Sequence, residues 1–156
     1  MKTRERGFEE GSDAPKLATL PCACANLRRA ARAVTQMYDR ELRGTGVGVT
    51  QFTLLQALAR VGEVSQGRLG DALSIDSTTL TRTLANLRKA GWVAIRPGSD
   101  RRVRLISVTD SGRRQLEKCY PAWERAQERL RRLLGDQRWE RLGEMTHNVV
   151  RSARDA

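Results

Sequence analysis

Residues 65–108 read SQGRLGDALSIDSTTLTRTLANLRKAGWVAIRPGSDRRVRLISV. The pattern predicts a short helix, a tight turn, a longer helix, and a two-stranded hairpin with an arginine-rich tip. The longer helix covers about Asp76 to Ala90. Asp76, Ser77, Thr78 and Thr79 open it; Asp and Ser are strong N-caps because a side-chain oxygen accepts from an unpaired backbone N–H. Leu80, Leu84 and Leu87 recur at i, i+4 and i+7, which places them on one buried stripe. The other side carries Ser77, Thr78, Thr81, Arg82 and Asn86. Short hydrogen-bonding groups with a cation are the side chains that read base edges in a major groove. Lys89, Ala90 and Gly91 give a cationic last turn and a glycine stop.

After Gly91 the period changes. Trp92 to Arg96 reads as a strand, Pro97-Gly98-Ser99-Asp100 is turn chemistry, and Val103, Leu105, Ile106 and Val108 form the returning strand. Upstream, residues 1–16 are charged and have nothing to bury, so they are expected to form a tail. A long helix is expected from about Cys22 to Arg43, with Leu27, Ala31, Val34, Tyr38 and Leu42 as its apolar stripe. Thr50 is expected to cap the next helix, with Phe52, Leu55, Leu58 and Ala59 inward. Ser65 then caps a short helix with Leu69, Ala72 and Leu73 buried. Downstream, Thr109 caps a helix reaching about Leu134, kinked or broken at Pro121. A last helix carries Trp139, Leu142, Met145, Thr146 and Val149 on one stripe.

A helix-turn-helix followed by a hairpin is a winged helix, so the expected class is mainly α (α+β winged helix) with long terminal helices. The division expected is 1–16 tail, 17–48 N-terminal dimerisation helix, 49–109 winged helix-turn-helix, and 110–156 C-terminal dimerisation helices. The terminal stripes flank a core that is already complete. They suit packing against a second copy, or against each other.

The 156 residues carry a net charge of +11, which favours a polyanionic partner. Only four of the 29 cations are lysines, and arginine suits bidentate phosphate and guanine contacts. No apolar run has the length of a membrane span, and the opening MKTRERGFEEGSD lacks the apolar core of a signal peptide. The expected location is the cytoplasm, where Cys22, Cys24 and Cys119 stay reduced by default.

Several motifs together resemble the multiple-antibiotic-resistance regulator (MarR) family of bacterial winged-helix repressors. Asp100-Arg101-Arg102 is similar to the family's D-x-R wing signature, closed by Val108-Thr109. Leu80-Thr81-Arg82, Leu87 and Ala90-Gly91-Trp92-Val93 resemble its recognition helix and the exit into the wing. The resemblance covers roughly residues 22–151 and implies a homodimer straddling a pseudo-palindromic operator in double-stranded DNA. Arg102 and Arg101 would reach the adjacent minor groove and its negative potential, and Arg104 would be a further DNA-binding residue of the wing. Asp100 would pair with an arginine and hold the wing tip in shape.

Such a regulator needs an input. Cys24, near the start of the first helix, resembles the sensor cysteine of the family's organic-hydroperoxide-sensing branch. Arg28 lies one turn on, and Cys119 is a distant candidate partner. Cys22, Cys24 and Cys119 also read as three soft thiolate ligands, although the lone His147 lies far along the chain and a zinc site lacks a fourth ligand. The plainest reading is that they are small buried residues of a helix start and a dimer core. The family's usual input is a small aromatic effector, for which Arg32, Tyr38, Phe52 and Trp92 are wall candidates by position. No metal, cofactor or catalytic set is expected, since paired carboxylates, a Ser/His/Asp set and a phosphate-cradling glycine loop are not recognisable. The competing classes are a sequence-tolerant architectural nucleic-acid binder and a thiol-dependent peroxidase using Cys24.

Overall fold

The computed structural model describes residues 21–100 and 102–155. The order is α1 (Ala23–Leu42), a 3-10 turn (Arg43–Thr45), α2 (Val49–Val61), β1 (Val64–Ser65), α3 (Gln66–Leu73), α4 (Ser77–Lys89), β2 (Val93–Pro97), β3 (Arg104–Val108), α5 (Asp110–Leu134) and α6 (Asp136–Arg154). The three strands form an antiparallel sheet in the order β1-β3-β2, with Val93 opposite Val108 and Pro97 opposite Arg104. This is a winged helix with long terminal helices. The two-residue strand β1, which pairs Val64 with Ile106, is an element the sequence pattern does not announce.

The core is built on the leucine stripe of α4. Leu80, Leu84 and Leu87 are fully buried with Phe52, Leu54, Leu55 and Leu58 of α2 and Ile106 of β3. Burying one such leucine contributes about 1.5–3 kcal/mol. Asp76 caps α4, its Oδ1 accepting the Thr79 N–H at 2.9 Å. At the other end the Gly91 N–H reaches the Arg88 carbonyl and the Trp92 N–H reaches that of Leu87, both at 2.9 Å. This Schellman closure puts Gly91 at φ +75°, a conformation that costs a glycine little.

Four expectations change. Thr50 is not the cap of α2; the helix starts at Val49 after Gly48. Its orphan N–H groups are met by two side chains: Asp39 accepts from the Val49 N–H at 2.7 Å and Gln51 from the Gly48 N–H at 3.0 Å. Ala72 is exposed, and Gly70 takes the buried place beside Leu69, where a Cβ would sit tightly at 3.2 Å from Leu80 and 3.3 Å from the Ile75 carbonyl. Helix α5 is not broken at Pro121 but runs 25 residues through it. Proline lacks an N–H, so one rung of the ladder is lost, while Cys119, Ala122 and Ala126 on either side stay packed inward. In α1 the stripe is buried only at its C-terminal end, at Tyr38 and Leu42, while Leu27 and Ala31 are exposed.

The end of α1 is fastened to α5. Tyr38 donates its hydroxyl to Gln127 Oε1 at 2.8 Å, and Glu41 pairs with Arg129 at 3.2 Å and Arg125 at 3.7 Å. Thr109 fastens the start of α5 to the exit of α4. Its hydroxyl donates to the Gly91 carbonyl at 2.7 Å and accepts from the Gly112 N–H at 3.0 Å, and its own N–H donates to the Trp92 carbonyl at 3.0 Å.

Candidate nucleic-acid interface

Helix α4 turns its leucines inward and so leaves Ser77, Thr78, Thr81, Arg82 and Asn86 exposed on the opposite face. An open groove of about 530 Å³ lies beside the start of this helix. Its walls bring together Ser65 at the end of β1, Gln66 from α3, Ser77 from α4, and Arg102 and Arg104 from the wing. Of the α4 candidates only Ser77 lines this cleft, together with Arg102 and Arg104 of the wing, while Thr78, Thr81, Arg82 and Asn86 lie outside its walls. Thr81 is held from α3, where Gln66 Nε2 donates to its hydroxyl oxygen at 2.9 Å.

The wing is shaped by backbone bonds. The Gly98 N–H donates to the Val103 carbonyl at 2.8 Å and the Val103 N–H to that of Asp100 at 2.9 Å. Asp100 Oδ1 accepts the backbone N–H of Arg102 at 2.9 Å, while the Arg102 guanidinium stands 3.9 Å off and its side chain is 93% exposed. The carboxylate thus grips the turn through the main chain and leaves the guanidinium free to reach outward; an ion pair this exposed contributes little. Arg101 lies outside the described residues. Arg96 is committed elsewhere, since its Nε and Nη2 clasp both carboxylate oxygens of Glu63 at 2.7 and 2.6 Å. That hydrogen-bonded pair pushes the Arg96 pKa further up. The Asp76 carboxyl is pulled below its usual value by its hydrogen bonds with Thr79.

Of the effector-wall candidates, Tyr38, Phe52 and Trp92 sit in different packing environments. Phe52 is buried in an aromatic cluster, stacked on Trp123 with ring centres 5.8 Å apart and edge-on to Tyr120 at 5.9 Å. Tyr38 is buried against Met37 and Ala126 on α5, and burial raises its pKa. Trp92 is half-buried at the α4–β2 junction, and Arg32 is exposed. The aromatics serve the core because α2 and α5 press their apolar faces together there.

Cys119 is fully buried in the core, whereas Cys22 and Cys24 are exposed. Arg28, one turn beyond Cys24, is exposed as well, as is His147 on α6. Among the described residues no cluster of three His, Cys, Asp or Glu side chains is arranged to hold a metal ion, and no helix is long and apolar enough to cross a membrane. Two participants escape the sequence pattern, Gln66 in the groove wall and Glu63 as the partner of Arg96. The only hint of the first is its place directly after the Ser65 cap, which fixes it at the mouth of α3.

A family model described as MarR family matches residues 45–103, from the turn before α2 to the wing. The multiple antibiotic resistance protein MarR of Salmonella typhimurium is 31% identical over 111 residues, which are 67% of this chain and 77% of that protein. The chain belongs to the MarR family. Membership makes it a transcriptional regulator by family. The HTH-type transcriptional regulator YwoH of Bacillus subtilis is 28% identical over 91 residues, 58% of this chain and 66% of YwoH, so the match spans just under two thirds of that relative. Among solved structures, the M. tuberculosis transcriptional regulator MosR in complex with DNA is 35% identical, with a TM-score of 0.77 over 86% of this MarR-family chain and 97% of MosR.

Proposed function

We propose that this MarR-family chain is a homodimeric, sequence-specific DNA-binding regulator. It represses from a pseudo-palindromic operator and is released by a small ligand or by thiol oxidation. The observation that carries the reading is the shared cleft of about 530 Å³, whose walls include Ser77 at the head of α4 and Arg102 and Arg104 of the wing. The polar face of α4 supplies base-reading groups, and the wing supplies phosphate and minor-groove contacts. The DNA complex of MosR supports the same use of the fold.

Residues 49–109 read the DNA, and 17–48 and 110–156 hold the dimer. The exposed apolar side chains of α6, among them Met145 at 63%, Val149 at 40% and Val150 at 44%, support a partner copy there. A two-fold dimer suits DNA because it sets two α4 helices about 34 Å apart on successive major grooves. For release, Cys24 is accessible to a peroxide while Cys119 is sealed.

Binding is tested on a duplex carrying the region upstream of the chain's own gene, with competitor DNA, first reduced and then after an organic hydroperoxide. Specific binding lost on oxidation and restored by thiol establishes the redox-switched repressor. Specific binding indifferent to oxidant leaves a small ligand as the signal. No preference over competitor DNA replaces the regulator with a sequence-tolerant architectural binder.

A further inference from the structure

We propose that Gln66 is a positioning residue that fixes which way the Thr81 hydroxyl points, and thereby which base edge Thr81 reads. The inference rests on the DNA-reading role proposed for α4.

Gln66 is the first residue of α3, placed after the Ser65 cap and in the wall of the cleft with Arg102 and Arg104. Its Nε2 donates to Thr81 Oγ1 at 2.9 Å. A threonine hydroxyl has one proton and two acceptor lone pairs. Inside helices that proton usually goes back to a carbonyl of the preceding turn. Thr53, Thr83 and Thr146 do this, donating to Val49, Thr79 and Leu142 at 2.9, 2.8 and 2.7 Å. Thr81 makes no such bond among the described residues. Its oxygen is instead occupied by an amide from the neighbouring helix, and the proton is left to the exposed face.

Thr81 is therefore presented as a donor. In the major groove guanine offers O6 and N7, thymine O4 and adenine N7 as acceptors, whereas cytosine offers only the N4 amino donor. A donor fixed at this place selects against cytosine at one position of the site. Gln66 touches no base in this account; it acts through Thr81.

The test is selection of bound duplexes from a random pool, followed by sequencing, with wild type, Thr81→Val, Gln66→Ala, Gln66→Lys and Gln66→Glu. Wild type should disfavour cytosine at one position by roughly 3- to 10-fold, the effect of a single hydrogen bond. Thr81→Val should erase that bias, and Gln66→Ala should weaken it at the same position and leave the others alone. Gln66→Lys still donates and should keep it. Gln66→Glu can only accept, so it should turn the hydroxyl round and move the preference towards the amino donors, cytosine N4 and adenine N6, lifting the bias against cytosine. A bias untouched by Gln66→Ala and Gln66→Glu, or altered at a position that Thr81→Val does not affect, overturns the inference while sequence-specific binding stands. A wild type that selects no sequence overturns the DNA-reading role and the inference with it. Thermal melting of each variant checks folding, and Gln66→Lys against Gln66→Glu keeps the comparison between two folded, charged proteins should Gln66→Ala fail.

Discussion

Gly112 lies against the backbone of Trp92 so closely that a Cβ built on it would overlap the Trp92 carbonyl oxygen and come within 2.8 Å of a Val108 methyl. The first turn of α5 is thereby seated directly on the junction between α4 and the wing. Gly112→Ala should destabilise the protein by about 2–3 kcal/mol, since backbone rather than a flexible side chain must yield. Urea unfolding reads this as a lower midpoint at unchanged slope; an unchanged midpoint would show that the seat has slack.

The two charged ends of the hairpin should behave differently towards DNA. Arg102 is 93% exposed with only a long 3.9 Å pairing to Asp100, and Arg96 is clasped by Glu63 at 2.6 Å. Arg102→Ala should weaken binding several-fold and lower the slope of log affinity against log salt by about 1. Arg96→Ala should leave that slope nearly as it was. Equal slopes for both variants and wild type would remove the wing from the interface.

Acid should find the cap of α4. The folded Asp76 pKa is depressed, so its contribution is fully present above the unfolded value of about 3.9 and is lost as pH falls through the folded value. Asp76→Asn should keep the cap at neutral pH and flatten the stability curve below about pH 4. Asp76→Ala should lose the cap at every pH. Identical acid limbs for wild type and Asp76→Asn in pH-dependent melts would contradict this.

How much of this is legible in the sequence depends on how local the cause is. The Asp76 cap, the Leu80/Leu84/Leu87 stripe, the Gly91 stop and the Thr109 cap each need only a few neighbouring residues. The cap of α2 does not, because Asp39 comes from ten residues upstream to take the Val49 N–H. Thr50, a better capping residue on paper, loses to it. Strand β1 exists only because Ile106 and Leu105 pass beside it. At the candidate interface, the exposed face of α4 follows from its period, but Gln66 beside Thr81 and Glu63 beside Arg96 enter through contacts spanning 15 and 33 residues. Tyr38 and Phe52 are effector-wall candidates by position alone, and their burial comes from packing partners on α5 that lie far downstream.

The exposed face of α6 predicts an oligomer. Met145→Glu with Val149→Glu should convert a dimer to a monomer in sedimentation and weaken DNA binding with it, while the monomer stays helical by circular dichroism. A doubly substituted chain that still sediments as a dimer would move the interface off this face.

Thiol counting separates the cysteines. In the native protein Cys22 and Cys24 should react with a small alkylating reagent, and Cys119 only after denaturation. Rapid native labelling of Cys119 would mean that the packing around α5 opens readily.

The sheet order also bears on how the chain avoids its own kind. The Gly98 N–H points in towards β3, and alternate residues of an antiparallel strand direct their N–H groups to opposite sides. The nitrogen of Pro97 therefore faces the open side of the outer strand, where it has no hydrogen to give. On the far side, β1 is only two residues long. Both margins of the sheet are poor templates for an extra strand. A hairpin built this way can stand out from the body of a protein crowded along a polymer without stitching neighbouring molecules into aggregates.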